Sequence, residues 1–156
     1  MKQEEGFKKK SIWTWEAVLF HASRLFLGGI LIYAGFEKIP APGLFAKAVY
    51  EYQILPDVLI NLTALVLPWL ELALGILLIV GIWLPGAVLL SSLLLLTFSG
   101  ILIFNMARGL NISCGCFSTE PSTDPISWWT VMRDTSFLVP AFYLLFANRA
   151  EKQGSE

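Results

Sequence analysis

Two cysteines one glycine apart, Cys114 and Cys116, are the only cysteines in the chain, within Asn111-Ile112-Ser113-Cys114-Gly115-Cys116-Phe117-Ser118. Thiols at this spacing can form a redox dithiol, supply half of a metal site, or stand idle. A disulfide needs Cα atoms about 4.4–6.8 Å apart, whereas an extended i to i+2 pair spans about 6.6–7.2 Å. The backbone must fold inward, which Gly115 permits. So small a ring is strained, and strain makes a disulfide easier to reduce, suiting it to exchange more than to stapling. Closing so short a loop also removes little unfolded-chain entropy. A metal would need two further soft ligands; with no third cysteine and the one histidine, His21, far away in the chain, no metal is expected. Dithiol exchange is the favoured reading, with idle cysteines and a shared metal as its alternatives.

A second set of reactive groups lies inside apolar stretches: His21, Arg24, Glu71, Arg133 and Asp134. An ionised side chain at mid-bilayer costs at least ~2.5–3.5 kcal/mol, so such groups must be paired or used. By helical rise, Arg24, Glu71 and Asp134 fall roughly 18, 17–20 and 12 Å below one membrane face. They can therefore meet inside one bundle. Two arrangements are expected: a structural ion-pair network of Arg24 with Glu71 and Asp134, or a polar pocket in which Arg24, Glu71, Arg133 and Asp134 hold a quinone or a proton. His21 reads as a helix-interface residue.

These groups need helices to position them. The 156-residue chain is 56% hydrophobic and 15% charged, and its mean hydropathy is +0.66. Its apolar residues come in long runs, which marks an integral membrane protein of one domain. No basic patch suggests nucleic acid. Four spans are expected, at 16–36, 58–83, 87–107 and 126–147, each close to or above the ~20 residues that cross a bilayer. The run after the basic residues 1–15 is too long for a signal peptide and is not followed by a small-x-small site, so it is taken as a retained span. In the first span His21, Arg24, Gly28, Leu31 and Gly35 share one face; in the second, Pro68, Glu71 and Gly75 do. The third, almost wholly Leu, Ser, Ile and Phe, reads as packing and little else. Between the first two, two prolines and a glycine end a helix, and Leu44 to Leu55 reads as a short helix at the membrane surface, stopped at Pro56.

An all-α, polytopic four-helix bundle follows, with both termini on one side. Four lysines in the N-terminal tail, with Arg149 and Lys152 in 148–156, outweigh Lys38, Lys47 and Arg108 opposite, so both tails are expected in the cytoplasm and the cysteine loop outside. In a bacterial inner membrane that is the compartment where disulfides persist.

Arg24 with Gly28, Gly35 and Lys38, then Pro68-x-x-Glu71-x-x-x-Gly75, Cys114-Gly115-Cys116-Phe117 and Trp129-x-x-x-Arg133-Asp134, in this order, resemble the MauE/DoxX family of small four-helix membrane proteins. The resemblance covers about residues 20–146. It implies a redox-associated inner-membrane protein that helps mature disulfide-containing periplasmic enzymes beside a thioredoxin-like partner, or, as in DoxX relatives, one linked to quinone reduction. The layout is also similar to the quinone-coupled thiol oxidases DsbB and VKOR, which relay electrons through a second cysteine pair; this chain has none. Any thiol–disulfide oxidoreductase activity must run directly between Cys114/Cys116 and a partner on one side and an acceptor on the other, for which a membrane quinone is one candidate. The rival reading is a non-catalytic scaffold or accessory subunit of a redox complex, alone or as a homo-oligomer. A transporter is disfavoured, because four spans without repeats offer little for alternating access.

Overall fold

The computed structural model describes residues 2–109 and 128–153, with side chains described for 15–109, 129 and 131–147. All regular elements among them are helices: α1 (Lys2–Lys38), α2 (Pro42–Glu51), α3 (Asp57–Val80), α4 (Leu84–Ala107), α5 (Trp128–Ser136) and α6 (Leu138–Gln153). Three helical stretches are long and apolar enough to cross a membrane: Trp15–Lys38 within α1, α3 and α4. Their outward faces are apolar as well: Val58, Leu62, Leu65, Val66, Trp69, Ile76 and Val80 are all exposed along α3 alone. A soluble bundle would put polar residues there. Lipid is the solvent that tolerates this surface.

Two layers of contacts fix the topology. One packs Leu27 and Leu31 of α1, Leu74 and Leu78 of α3, Ala87 and Val88 of α4, and Ala141 and Leu144 of α6 into a fully apolar core. The next brings together Lys38, Glu71, Ser99 and Asp134. Residue numbers rise from the first layer to the second in α1 and α4 and fall in α3 and α6–α5. The helices therefore alternate in direction, up and down.

Helices α1 and α3 approach most closely because glycines meet at their crossing. A Cβ on Gly75 would lie 2.7 Å from the Gly28 carbonyl oxygen, and one on Gly35 would lie 2.7 Å from that of Pro68. The shared glycine faces expected from the sequence are thus the α1–α3 contact, with Leu31, Pro68 and Glu71 buried beside them. His21, by contrast, is exposed, and its Nδ1–H donates to the Ala17 carbonyl at 2.8 Å. It contributes nothing to that contact.

Helix α3 ends where Gly81 takes a left-handed conformation (φ 85°) and its N–H donates to the Leu77 carbonyl at 2.8 Å, a turn that glycine adopts without steric cost. Trp83 and Pro85 then start α4. A short helix, α2, does lie between the first two spans, but as Pro42–Glu51 in place of Leu44 to Leu55, taking in Pro42 at its first turn, where its missing N–H costs nothing. Its apolar face, Phe45 and Val49, packs on Ile60 and Ala64 of α3.

Within the described part of the expected fourth span, 126–147, the helix is interrupted. The stretch forms α5 and α6 with a turn at Phe137, whose N–H donates to the Asp134 carbonyl at 3.2 Å, a bond one residue tighter than an α-helix makes. Pro140 explains the break: it has no N–H for the Ser136 carbonyl, and its ring collides with that carbonyl in a regular helix. Helix α4 also differs from expectation. Ser91, Ser92, Ser99 and Asn105 are all buried on its bundle face, so its serines and asparagine point inward while Thr97 stays exposed, and the Ser91 and Ser92 hydroxyls are satisfied by the carbonyls of Ala87 and Val88.

Candidate functional site

Helix side chains lean toward the N-terminus of their own helix. Lys38, at the last turn of α1, leans back into the bundle this way, and its ammonium donates to the Ala34 carbonyl at 3.2 Å and to Glu71 Oε1 and Oε2 at 3.2 and 2.9 Å. Both residues are buried, at 1% and 2% exposure. The ammonium also lies 5.4 Å from the ring centre of Phe45 and 6.0 Å from that of Phe98, within the range of cation–π attraction. Carboxylate, carbonyl and aromatic faces together replace the water that a lysine would otherwise keep.

The partner of Glu71 is therefore Lys38 and not Arg24, which overturns the expected ion-pair network. The register of α1 on α3 decides it. Gly28 meets Gly75, so the α1 residue opposite Glu71 is about one turn beyond Gly28, near Ile32. Arg24 lies two turns back from there, roughly 12 Å along the axis. Its guanidinium instead donates to the Ile79 carbonyl at 3.4 Å and lies where a Cβ on Gly81 would meet it at 2.9 Å. Arg24 closes the C-terminal end of α3, where carbonyls and helix dipole favour a cation. We expect Arg24→Met to destabilise the protein by about 0.5–2 kcal/mol, with Arg24→Lys recovering part of the loss, measured by unfolding in mixed detergent micelles. A loss as large as that from breaking the Lys38–Glu71 pair would contradict this role.

Asp134, 7% exposed, is the second buried carboxylate. Its Oδ1 accepts a bond from Nε of the neighbouring Arg133 at 3.1 Å, the arginine side chain remaining 43% exposed. Glu71, Lys38, Ser99 and Asp134 border one partly open cavity of about 40 Å³ whose wall is mostly apolar, with Phe98 and Phe137 part of it. That space accommodates about two or three water molecules and falls well short of the roughly 150 Å³ that takes a benzene ring. Of the four residues expected to hold a cofactor, Glu71 and Asp134 meet at this cavity, Arg133 sits at its edge through Asp134, and Arg24 is elsewhere. Lys38 and Ser99 belong to the site although the sequence reads Lys38 as loop and Ser99 as packing. The spacing Leu27, Leu31, Ala34, Lys38 carries the signal for the lysine, since it continues the buried face of α1 by one more turn. Cys114 and Cys116 lie outside the described residues.

A multi-pass, all-α membrane protein with a lysine–glutamate pair and an aspartate buried between its helices is what this fold and site define. The chain belongs to the MauE family: the family model described as methylamine utilisation protein MauE matches residues 16–147. Similar curated proteins are the methylamine utilization proteins MauE of Paracoccus denitrificans, 32% identical over 76% of this chain and 64% of that protein, and of Methylorubrum extorquens, 33% identical over 83% and 69%. The one from Methylophilus methylotrophus is 31% identical over 77% and 64%. The chain thus spans a little under two thirds of the length of the Paracoccus and Methylophilus relatives. No solved structure matches it.

Proposed function

We propose that the protein is an accessory of methylamine utilisation in a bacterial inner membrane, exchanging thiol and disulfide through Cys114 and Cys116 with a thioredoxin-like or maturing periplasmic partner. Both tails face the cytoplasm and the cysteine loop the opposite side. The observation that carries this reading is the position of the two ends from which the cysteine-bearing stretch springs. Gly109 follows α4 and Trp128 begins α5 at the end of the bundle where α1 finishes in Lys38, the same half that holds Glu71 and Asp134. Membership in a family named for methylamine utilisation supports the biological setting.

In the exchange a thiolate of the partner attacks one sulfur of the Cys114–Cys116 disulfide, and a mixed disulfide forms as the other sulfur leaves as thiolate. The partner's second thiolate then displaces the cysteine from the mixed disulfide, leaving the partner oxidised to a disulfide and Cys114 and Cys116 reduced to a dithiol by two electrons and two protons. A membrane quinone takes those two electrons and two protons from the dithiol, becoming the quinol and restoring the Cys114–Cys116 disulfide. Arg133, partly exposed at the loop side and oriented by Asp134, is the cation that would hold a thiolate or a quinone oxygen there.

Single Cys114→Ser and Cys116→Ser variants should each be tested for a reductant-sensitive adduct with a second protein after acid quenching of intact cells. We expect one of them to accumulate it, and the wild-type pair to resist maleimide until reduced. Complete alkylation of both wild-type cysteines without reductant, together with unimpaired growth on methylamine of the double serine variant, would sink the proposal in favour of a scaffold.

A further inference from the structure

The face of α1 that packs on α3 runs on past the end of α3. It carries Ala17, His21, Arg24, Gly28 and Gly35 at helical spacing, and α3 covers it from Gly35 back to Gly28. Helix α3 then ends at Val80, level with Arg24, whose Nη2 donates to the Ile79 carbonyl. Ala17 and His21 lie beyond that end and are exposed, although α6 still flanks α1 there through the Tyr143 hydroxyl, which donates to the Glu16 carbonyl at 3.4 Å. The result is a step, at the end of the bundle opposite Ala107 of α4. Helix α1 forms its wall, and the α3–α4 turn from Gly81 to Trp83 forms its ledge.

Arg24 stands at the inner corner of this step. Its guanidinium rests against Gly81, whose lack of a side chain leaves it room, since a Cβ there would lie 2.9 Å from Nη1. A guanidinium has several N–H donors to place. Its bond to Ile79 is long, at 3.4 Å, Nε is buried without a hydrogen-bond partner, and among the described residues no carboxylate pairs with the group. Glu16, the nearest acid on α1, is about 12 Å away along the axis. The cation is thus partly desolvated with most of its donors unspent, a state that an anion at the Nη edge relieves. Helix α4 begins at the same turn with no acidic residue in its first turn to repel one. The rim is apolar: Val80, Ile82 and Trp83 are all well exposed. Trp83 holds a left-handed conformation (φ 50°), which a bulky residue rarely adopts, and its ring covers Gly86, where a Cβ would meet it at 2.6 Å. An indole fixed near a cation at the end of a membrane-crossing hairpin belongs at the depth of lipid head groups.

We propose that the step formed by Arg24 and the α3–α4 turn binds the head group of an anionic phospholipid in the leaflet at that end of the bundle. The guanidinium takes the phosphate through two parallel N–H groups, a geometry that arginine offers and lysine does not. Val80 and Ile82 meet the upper part of the acyl chains, which is what selects a lipid over a soluble phosphate, a ligand with nothing to set against that apolar rim. With the phosphate in place, Arg24 both closes α3 and ties the α1–α3 contact to the membrane surface. The site stands whether or not the cysteines exchange disulfides.

The test offers the full chain, purified in a mild detergent, mixed micelles of dioleoylphosphatidylglycerol or dioleoylphosphatidylcholine and reads the lipid retained per protein by native mass spectrometry. Ammonium acetate at about 0.5 M screens the long-range attraction of the N-terminal lysines. The wild type should retain the anionic lipid over phosphatidylcholine by about five-fold or more, and Arg24→Met should lose that preference. Arg108→Met, which removes the exposed cation at the other end of α4, should keep it. Ile82→Glu alters an exposed side chain of the turn, so it does not depend on the bundle tolerating the loss of Arg24; a carboxylate beside the guanidinium should abolish the preference too. Equal retention of both lipids by the wild type, or a preference lost as fully in Arg108→Met, would overturn the proposal. So would a preference that survives in Arg24→Met, or in Ile82→Glu where Arg24→Met does not assemble, and so would displacement of the anionic lipid by inorganic phosphate at equal concentration.

Discussion

Glu71→Ala is expected to cost about 3–5 kcal/mol of folding stability, because it leaves the Lys38 ammonium buried among apolar groups without its counter-charge. The insertion cost of a lone lysine at mid-bilayer, about 2.5–3.5 kcal/mol, gives a similar figure independently. Nearly all of the side chain is inaccessible, so the loss cannot be recovered by rehydration in place. The mirror change, Lys38→Ala, strands the carboxylate instead and should be of similar size. The double variant Lys38→Met with Glu71→Met should be far less harmful than either single change, since removing both charges removes both desolvation costs. Unfolding in mixed detergent micelles would measure all three. A loss below about 1 kcal/mol for Glu71→Ala, or a double variant as unstable as the sum of the singles, would show that the pair does not carry the energy assigned to it.

Glycine substitutions should separate by position with equal clarity. A methyl group on Gly75 would stand 2.7 Å from both the Gly28 carbonyl oxygen and Ile32 Cγ1, and one on Gly35 would stand 2.7 Å from the Pro68 carbonyl oxygen and 3.1 Å from the Leu72 nitrogen. Backbone atoms cannot move aside cheaply, so Gly75→Ala and Gly35→Ala should each destabilise by about 1–3 kcal/mol, and valine at either position by more. Gly29 and Gly100 have nothing within 4 Å of such a methyl group. There alanine should be neutral or stabilising by up to about 1 kcal/mol, through better helix propensity. A methyl group on Gly28 would stand 2.8 Å from Ile79 Cγ1 and 3.0 Å from the Gly75 carbonyl oxygen, so Gly28→Ala should destabilise where the adjacent Gly29→Ala does not, which makes the comparison a direct test of the α1–α3 interface. Equal effects at Gly29 and Gly75 would mean that the helices do not cross there.

The two predictions draw on different amounts of sequence information. The glycine contact is legible in the chain, because Gly28 and Gly35 are seven residues apart on α1, Gly75 shares a face with Pro68 and Glu71 on α3, and small residues on facing helices imply close approach. The lysine–glutamate pair is not legible in the same way. Arg24 and Lys38 are both cations on the first span, and by depth alone Arg24 is the more central. Which one meets Glu71 depends on how far α1 is slid along α3, and a slide of about four helical turns, the 14 residues between Arg24 and Lys38, would put one in the place of the other. No local pattern encodes that slide. It is set where Gly28 seats against Gly75, and the leaning of the lysine side chain back along its own helix completes the contact.

The same division holds elsewhere in the chain. Hydropathy and length by themselves determine an all-α protein with several membrane-crossing helices, a short amphipathic helix between the first two, and buried ionisable residues that must find partners, because each of these follows from the solvent a stretch of about 20 residues can tolerate. The tertiary structure alone decides that Arg24 closes the end of α3, that Lys38 and Ser99 join Glu71 and Asp134 around one cavity, and that the serines and asparagine of α4 face inward. Those outcomes depend on which faces of different helices are brought together, a relation between residues as much as 96 positions apart, such as Lys38 and Asp134. Burial is a property that a segment carries with it; partnership arises only when the segments meet.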